Sequence, residues 1–381
     1  MASLYLHIPF CEHKCIYCDF YSIAPHEGGG DQNALIGRFL GALRREIDLR
    51  GTAPFTGADY TTVYFGGGTP SLLPPEAVGE ILGRLREKYR IRPDAEITLE
   101  VNPGTVDGES LAGYRRAGIN RVSIGIQSFH EDDLSFLTRI HTAEQAKACV
   151  RLAREAGIGN VSLDLIFALP GQTPERWRGN LEEAMALAPS HISCYSLIVE
   201  PDTPLFRMVQ AKQVQPVDAE RDAELYEFTI DFLARHGYAQ YEVSNFALPG
   251  FESQHNSRYW DHTDYLGFGP SAHSFWSDRR WWNIANLQTY VDRLGRGEPP
   301  TAGEESLNRD QLMEESIFLG LRSSGIDLER FRRRFERDLQ RDFAGVIDRL
   351  VADGLATVDR AQLRLTRKGY LVCDEICQSF R

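Results

Sequence analysis

LYLHIPFCEHKCIYCDFYS, Leu4 to Ser22, is the stretch on which the reading of this chain turns. An apolar alternating run, the mark of a β-strand, opens directly into Cys11, Cys15 and Cys18. The chain has seven cysteines, an odd number, and MASLYLHIPF lacks the basic region and long apolar stretch of a secretory signal. A disulfide framework is therefore disfavoured, and clustered cysteines become candidates for metal ligation. Cys149 in AEQAKACVRLAREAG, Cys194 in HISCYSLIV and the pair Cys373 and Cys377 read instead as buried packing residues. For the cluster of three, a structural zinc site needs a fourth ligand, with His7 or His13 at hand. An iron-sulfur cube fits better, because one short loop can wrap it and leave one iron open.

Bulk properties limit the partners. At 381 residues the chain is long enough for two or three domains, and 42% hydrophobic with 25% charged residues is ordinary for a globular protein. The net charge of −12 argues against a broad phosphate-binding surface, so nucleic acid is not expected. No segment offers the apolar length of a membrane span, and the expected location is the cytoplasm.

From the cysteine loop outward, strand and helix alternate. SLYLHIP, TTVYF, AEITLEV, RVSIGIQ, NVSLDLIFAL and HISCYSLIV read as strands, separated by helical patterns such as ALIGRFLGALRREIDLRG and PEAVGEILGRLREKY. Six β/α repeats predict an α/β fold, a parallel sheet curled into a partial (β/α)6 barrel over residues 1–200. Only HEGGGDQN resembles a flexible insertion. Reactive residues belong at the C-terminal strand ends of such a sheet. There the sequence places the three cysteines, GGGTP (Gly66 to Pro70), Glu100 with Asn102, and Gln127, while Asp164 lies within the fifth strand.

CEHKCIYC has the Cys-x3-Cys-x2-Cys spacing of the radical S-adenosylmethionine (radical-SAM) superfamily, with Tyr17 in the aromatic position before the third cysteine. The resemblance implies a [4Fe-4S] cluster on Cys11, Cys15 and Cys18, whose open iron binds the amino and carboxylate groups of SAM. Reduction of such a cluster can split the sulfonium to a 5′-deoxyadenosyl radical. LYLHIPFC, YFGGGTPS, EVNP, SIGIQSF, LTRIHTAEQA and LDLIFALPGQT further resemble the branch that holds oxygen-independent coproporphyrinogen III oxidase and the HemW haem chaperones, over nearly the whole chain. By that match Tyr5, Tyr17, Gly67, Gly68, Thr69, Glu100, Gln127, Arg139 and Asp164 are implied as SAM-contacting positions. Their chemistry suits it: carboxylates for an ammonium and ribose hydroxyls, an amide, and a guanidinium for a carboxylate.

Two departures separate the chain from the oxidase. The oxidase pattern has a fourth cysteine in Cys-Gly-Cys and an N-terminal extension; here Asp19 and Phe20 follow Cys18, and the strand begins at Leu4. Both put coproporphyrinogen decarboxylation in doubt and match the HemW type. His255-Asn256-Ser257-Arg258-Tyr259-Trp260 resembles that type's His-Asn-x-x-Tyr-Trp motif. The resemblance implies haem binding through or near His255 and transfer to haem-accepting proteins, with cluster and SAM tuning transfer or homodimer formation. A zinc-stabilised scaffold and a radical-SAM enzyme acting on a tetrapyrrole stay open as alternatives.

Residues 201–300 read as an α+β connector that begins with a long helix, AERDAELYEFTIDFLARHG, continues through a strand-like AQYEVSNFA, and covers the open side of the barrel. Residues 301–381 read as helix, helix, helix and β-ribbon, a winged-helix-like domain. It holds 14 Lys plus Arg against 15 Asp plus Glu, so it lacks the basic footprint of a DNA reader and is expected to act as a lid or docking module.

Overall fold

The computed structural model describes residues 1–25 and 31–380; residues 26–30, within the HEGGGDQN stretch, lie outside the described residues, as does Arg381. The first half alternates as expected. β1 (Ala2–Ile8), α1 (Gln32–Arg50), β2 (Asp59–Gly67), α2 (Pro75–Lys88), β3 (Arg90–Val101), α3 (Gly108–Ala117) and β4 (Arg121–Gln127) follow one another. After α4 (Glu131–Phe136) and α5 (Ala143–Glu155) come β5 (Asn160–Phe167), α6 (Pro174–Ala186) and β6 (His191–Ser196). Strands β1 to β6 lie side by side, all parallel.

The two faces of these strands differ, which explains why their sequences alternate. Leu4, Leu6, Ile8, Val63, Phe65, Leu99, Val122, Ile124, Val161 and Leu163 are all fully buried in the main hydrophobic core with the helices. Each such side chain contributes about 1.5–3 kcal/mol on leaving water. The intervening positions, among them Tyr64, Glu100, Ser123 and Asp164, face the lumen of the partial barrel, where they line a cavity.

The connector does more than cover the open side. After α7 (Pro204–Gln210) and α8 (Ala219–Arg235), the AQYEVSNFA segment forms β7 (Ala239–Gln240) and β8 (Asn245–Ala247), an antiparallel pair rather than one strand. β8 extends the sheet beyond β6. Past α9 (Gln254–Trp260), β9 (Tyr265–Phe268) adds in parallel to β1 at the other side, followed by β10 (His273–Trp276), β11 (Arg279–Asn283), α10 (Leu287–Gly295) and β12 (Thr301–Ser306). Among the described residues the result is one twelve-stranded sheet in the order β12-β11-β10-β9-β1-β2-β3-β4-β5-β6-β8-β7.

A second hydrophobic core, from Met313 to Phe380, belongs to the C-terminal segment. It joins α11 (Arg309–Leu321), β13 (Ile326–Asp327), α12 (Leu328–Phe335), α13 (Leu339–Asp342), α14 (Ala344–Ala352) and the ribbon β14 (Ala356–Val358) and β15 (Gln362–Leu365). Two short helices, α15 (Arg367–Leu371) and α16 (Cys373–Gln378), close it, and Cys373 and Cys377 are buried one helical turn apart in α16, their sulfurs 4.0 Å apart.

Candidate functional site

The cysteine loop leaves β1 at Ile8 and is tied to the glycine loop that leaves β2. Gly68 N donates to Ile8 O at 2.8 Å and Thr69 N to Phe10 O at 2.7 Å, while Cys11 N donates to Ile23 O at 3.1 Å. A Cβ on Gly68 would stand 2.6 Å from the Phe10 carbonyl oxygen and 3.1 Å from Cys11 Sγ, so only glycine lets the two loops approach this closely. Gly67 has φ +112°, in the region glycine favours, and a Cβ there would meet the His7 ring at 2.8 Å. Thr69 Oγ1 donates to Cys11 Sγ at 3.5 Å.

Arg139 reaches the same loop from the far side of the lumen. Its guanidinium donates to Cys15 Sγ at 3.5 Å and to Gly125 O at 2.8 Å, and it hydrogen-bonds Tyr17. Local sequence fixes its backbone: in RIHTAEQ, Thr142 and Gln145 form the capping box that starts α5. His141 is held between Asn102 Oδ1 (3.2 Å) and Ile126 O (3.1 Å). Burial, then the Arg139 charge, pushes His141 down to about 4, so its ring is neutral.

Glu100 accepts from Tyr64 OH at 2.8 Å and from Gly67 N at 3.2 Å. Burial is the main cause, with Asp164 repulsion added, that pushes its carboxyl up to about 7. Asp164 accepts from Ser123 Oγ at 3.0 Å and is raised by burial. Gln127 ends β4 at φ 68°, a costly left-handed conformation for a residue with a side chain, of the kind stored at binding sites.

These groups surround one cavity of about 520 Å³, the scale of a small-molecule site. Cys11, Cys15, Cys18, Tyr17, Gly67, Gly68, Thr69, Glu100, Gln127, Arg139 and Asp164 all line it. Two expected residues do not. Tyr5 lies outside the lining: its OH pairs with His7 Nδ1 at 3.1 Å and its ring stacks on Tyr64 at 6.2 Å. His255, expected to offer a nitrogen to haem iron, is 1% exposed with both ring nitrogens taken, Nδ1 by Thr62 Oγ1 at 2.7 Å and Nε2 by Tyr259 OH at 3.0 Å. Its ring stacks on Tyr64 at 4.8 Å, and burial pushes it down to about 3, a neutral ring. Glu96 accepts the Gln254 and His255 backbone N–H groups, so α9 plugs the lumen from within.

The lining also holds residues the sequence did not single out, Tyr64, Arg121, Ser123, Ser193 and Tyr195, together with Asn256 of the HNSRYW motif. Arg121 is 1% exposed, with Nε lacking any hydrogen bond. A charge so enclosed acts on Glu100, Asp164, His191 and His255 alike.

The donor set suits an iron-sulfur cube. Cys11 Sγ lies 3.1 Å from where a Gly68 Cβ would stand, and Cys11, Cys15 and Cys18, three thiols of one short loop, line the same cavity, as a cube wrapped by a single loop requires. Residues 5–184 match the family model of the Radical SAM superfamily, and residues 307–372 that of the HemN C-terminal domain. A Bacillus subtilis relative named heme chaperone HemW is 35% identical, over 100% of this chain and 99% of its own length. The chain belongs to the HemW family. A HemW relative from Escherichia coli is 41% identical over 71% of this chain and 69% of its own. The solved Escherichia coli coproporphyrinogen III oxidase HemN, described as a radical SAM enzyme, superposes with TM-score 0.84 at 28% identity, covering 100% of this chain and 89% of that one.

Proposed function

We propose that this HemW-family chain is a radical-SAM haem chaperone, which binds a [4Fe-4S] cluster, SAM and haem and delivers haem to acceptor proteins. The observation that carries the reading is the single cavity where three thiols, a glycine cradle and the polar groups of four strand ends meet. When bound, the cluster supplies an open iron for SAM and an electron at low potential.

The chain's own residues do the rest. Cys11, Cys15 and Cys18 hold the cluster, and Arg139 sets a positive charge beside Cys15. Gly67 and Gly68 bring backbone up to SAM without a side chain in the way, and the Thr69 hydroxyl beside them donates to Cys11 Sγ. Glu100 and Asp164 offer oxygens to the amino N–H groups and to ribose hydroxyls, Gln127 an amide, and Arg139 a guanidinium to a carboxylate. Phe20 stands where the oxidase pattern has a further cysteine, which favours the chaperone over the oxidase. We place the protein in the cytoplasm, where thiols stay reduced; among the described residues no helix is long and apolar enough to cross a membrane.

The test is anaerobic reconstitution followed by iron and sulfide analysis, SAM binding, haem titration at the Soret band, and transfer of haem to an apo haem protein. Cluster, SAM and haem binding with transfer are expected, and the Cys11, Cys15 and Cys18→Ala triple variant should hold no cluster. Zinc without iron, or SAM-dependent decarboxylation of coproporphyrinogen, would overturn the reading.

A further inference from the structure

With His255 engaged at both nitrogens, haem lacks the iron ligand expected for it, and the other histidines sort by what their rings already hold. His7, His141 and His191 are buried with both ring nitrogens hydrogen-bonded. His130 is bonded to Arg176 O, and His262 lies between Ser316 and Glu315. His236 and His273 are exposed but stand outside the cavity lining. Among the described histidines, only His13 is exposed, borders the cavity and has neither nitrogen engaged.

The rim beside His13 is apolar where water would favour polar groups. Phe20 is 63% and Ile198 66% exposed, and both line the cavity with Leu197 next to them. Large apolar side chains left in water around a cavity mark a binding surface. The two rim segments are held together: Leu205 N donates to Ile16 O at 2.9 Å, and Ile16 N to Thr138 Oγ1 at 3.2 Å. Lys14, also in the lining, adds an ammonium. A ligand matching this rim is flat and apolar, carries a metal that accepts an imidazole, and has carboxylates at its edge.

We propose that haem sits at the cavity mouth, its macrocycle against Phe20 and Ile198, its iron on His13 and a propionate facing Lys14. The proposal rests on the haem-chaperone reading and moves the haem seat away from His255. His13 stands between the cluster ligands Cys11 and Cys15, so the loop that wraps the cluster also carries the imidazole.

The experiment titrates haem into the full, anaerobically reconstituted chain and follows the Soret band together with the low-spin signal of histidine-ligated iron. Wild type is compared with His13→Ala, His13→Met, the Phe20→Glu/Ile198→Glu double variant and His273→Ala, each first checked for iron and sulfide content. His13→Ala is expected to weaken binding at least about tenfold and abolish the histidine signal, and His13→Met to replace that signal with one of thioether ligation. The double variant should weaken binding by about tenfold with histidine ligation intact, because a carboxylate against the macrocycle must lose its water. Unchanged affinity and spectrum in His13→Ala, or loss confined to His273→Ala, would overturn the seat while leaving the chaperone reading in place. Absence of saturable binding in wild type would overturn the chaperone reading itself.

Discussion

Glu100 shows how a single buried carboxylate ties the site to pH. With its carboxyl near 7 rather than the usual 4.5, the folded ligand-free chain holds more protons than the unfolded chain between those values. Its contribution to stability therefore falls as pH rises from about 4.5 to 7, by roughly 3 kcal/mol in all. Glu100→Gln should flatten that share of the pH profile in urea unfolding, leaving the share of Glu242, which burial also pushes up to about 7. Ligand binding runs the other way, because an ionised carboxylate accepts hydrogen bonds from the SAM amino group and ribose hydroxyls better than its protonated form does. SAM affinity should rise with pH, nearly tenfold per unit below 7, and level off above it, whereas the Gln variant should bind weakly at every pH. A pH-independent affinity in wild type would remove Glu100 from SAM's partners. Gly68 offers a steric counterpart. Gly68→Ala must push a Cβ against the Phe10 carbonyl, at a cost of about 1–3 kcal/mol. Reconstituted iron content and SAM affinity should both drop; full cluster loading in this variant would contradict the tight approach of the two loops.

Helix α9 carries the HNSRYW segment, and its position changes what that segment means. Ser253 caps the helix, Glu96 accepts its first N–H groups, and His255 bridges Thr62 and Tyr259 inside the lumen. Truncation of His255 leaves a cavity and two buried hydroxyls without their partner, a loss of about 2–5 kcal/mol. His255→Ala should lower the thermal midpoint by several degrees while the refolded, cluster-loaded protein retains haem affinity. A variant with native stability and no haem binding would instead restore the imidazole as an iron ligand. The motif was visible as a string, but nothing local to it indicated that the helix would close the barrel. Glu96, its anchor, lies about 160 positions earlier, in β3.

Among the described residues the two larger hydrophobic cores lie one on the twelve-stranded sheet and one within the C-terminal segment. The links between them are mainly polar: Val243 N to Arg322 O at 3.0 Å, Arg280 to Glu315, His262 to Glu315, and Arg330 to Asp261. Ion pairs as exposed as Arg280–Glu315 and Arg330–Asp261 hold weakly, so the C-terminal core should open at lower denaturant than the barrel. Hydrogen exchange across a urea series should show early loss of protection in α11 to α16; one coincident transition for both cores would contradict this.

Sequence alone determined the parallel β/α order, the cysteine loop and the glycine turn, because these depend on periodicity and on neighbours within a few residues. Resemblance then marked Glu100, Gln127, Arg139 and Asp164, all of which line the cavity. Three-dimensional packing settled the rest. Tyr64, Arg121 and Ser123 share a lumen because alternate positions of separate strands converge there, and Asn256 joins them from α9, relations no local window contains. The split of the connector between both sides of the sheet, and the burial of His255, follow from long-range pairing of β8 with β6 and of β9 with β1. Chain order specifies which residues are available to meet; the burial of apolar faces and the pairing of backbone groups across the sheet choose which of them do.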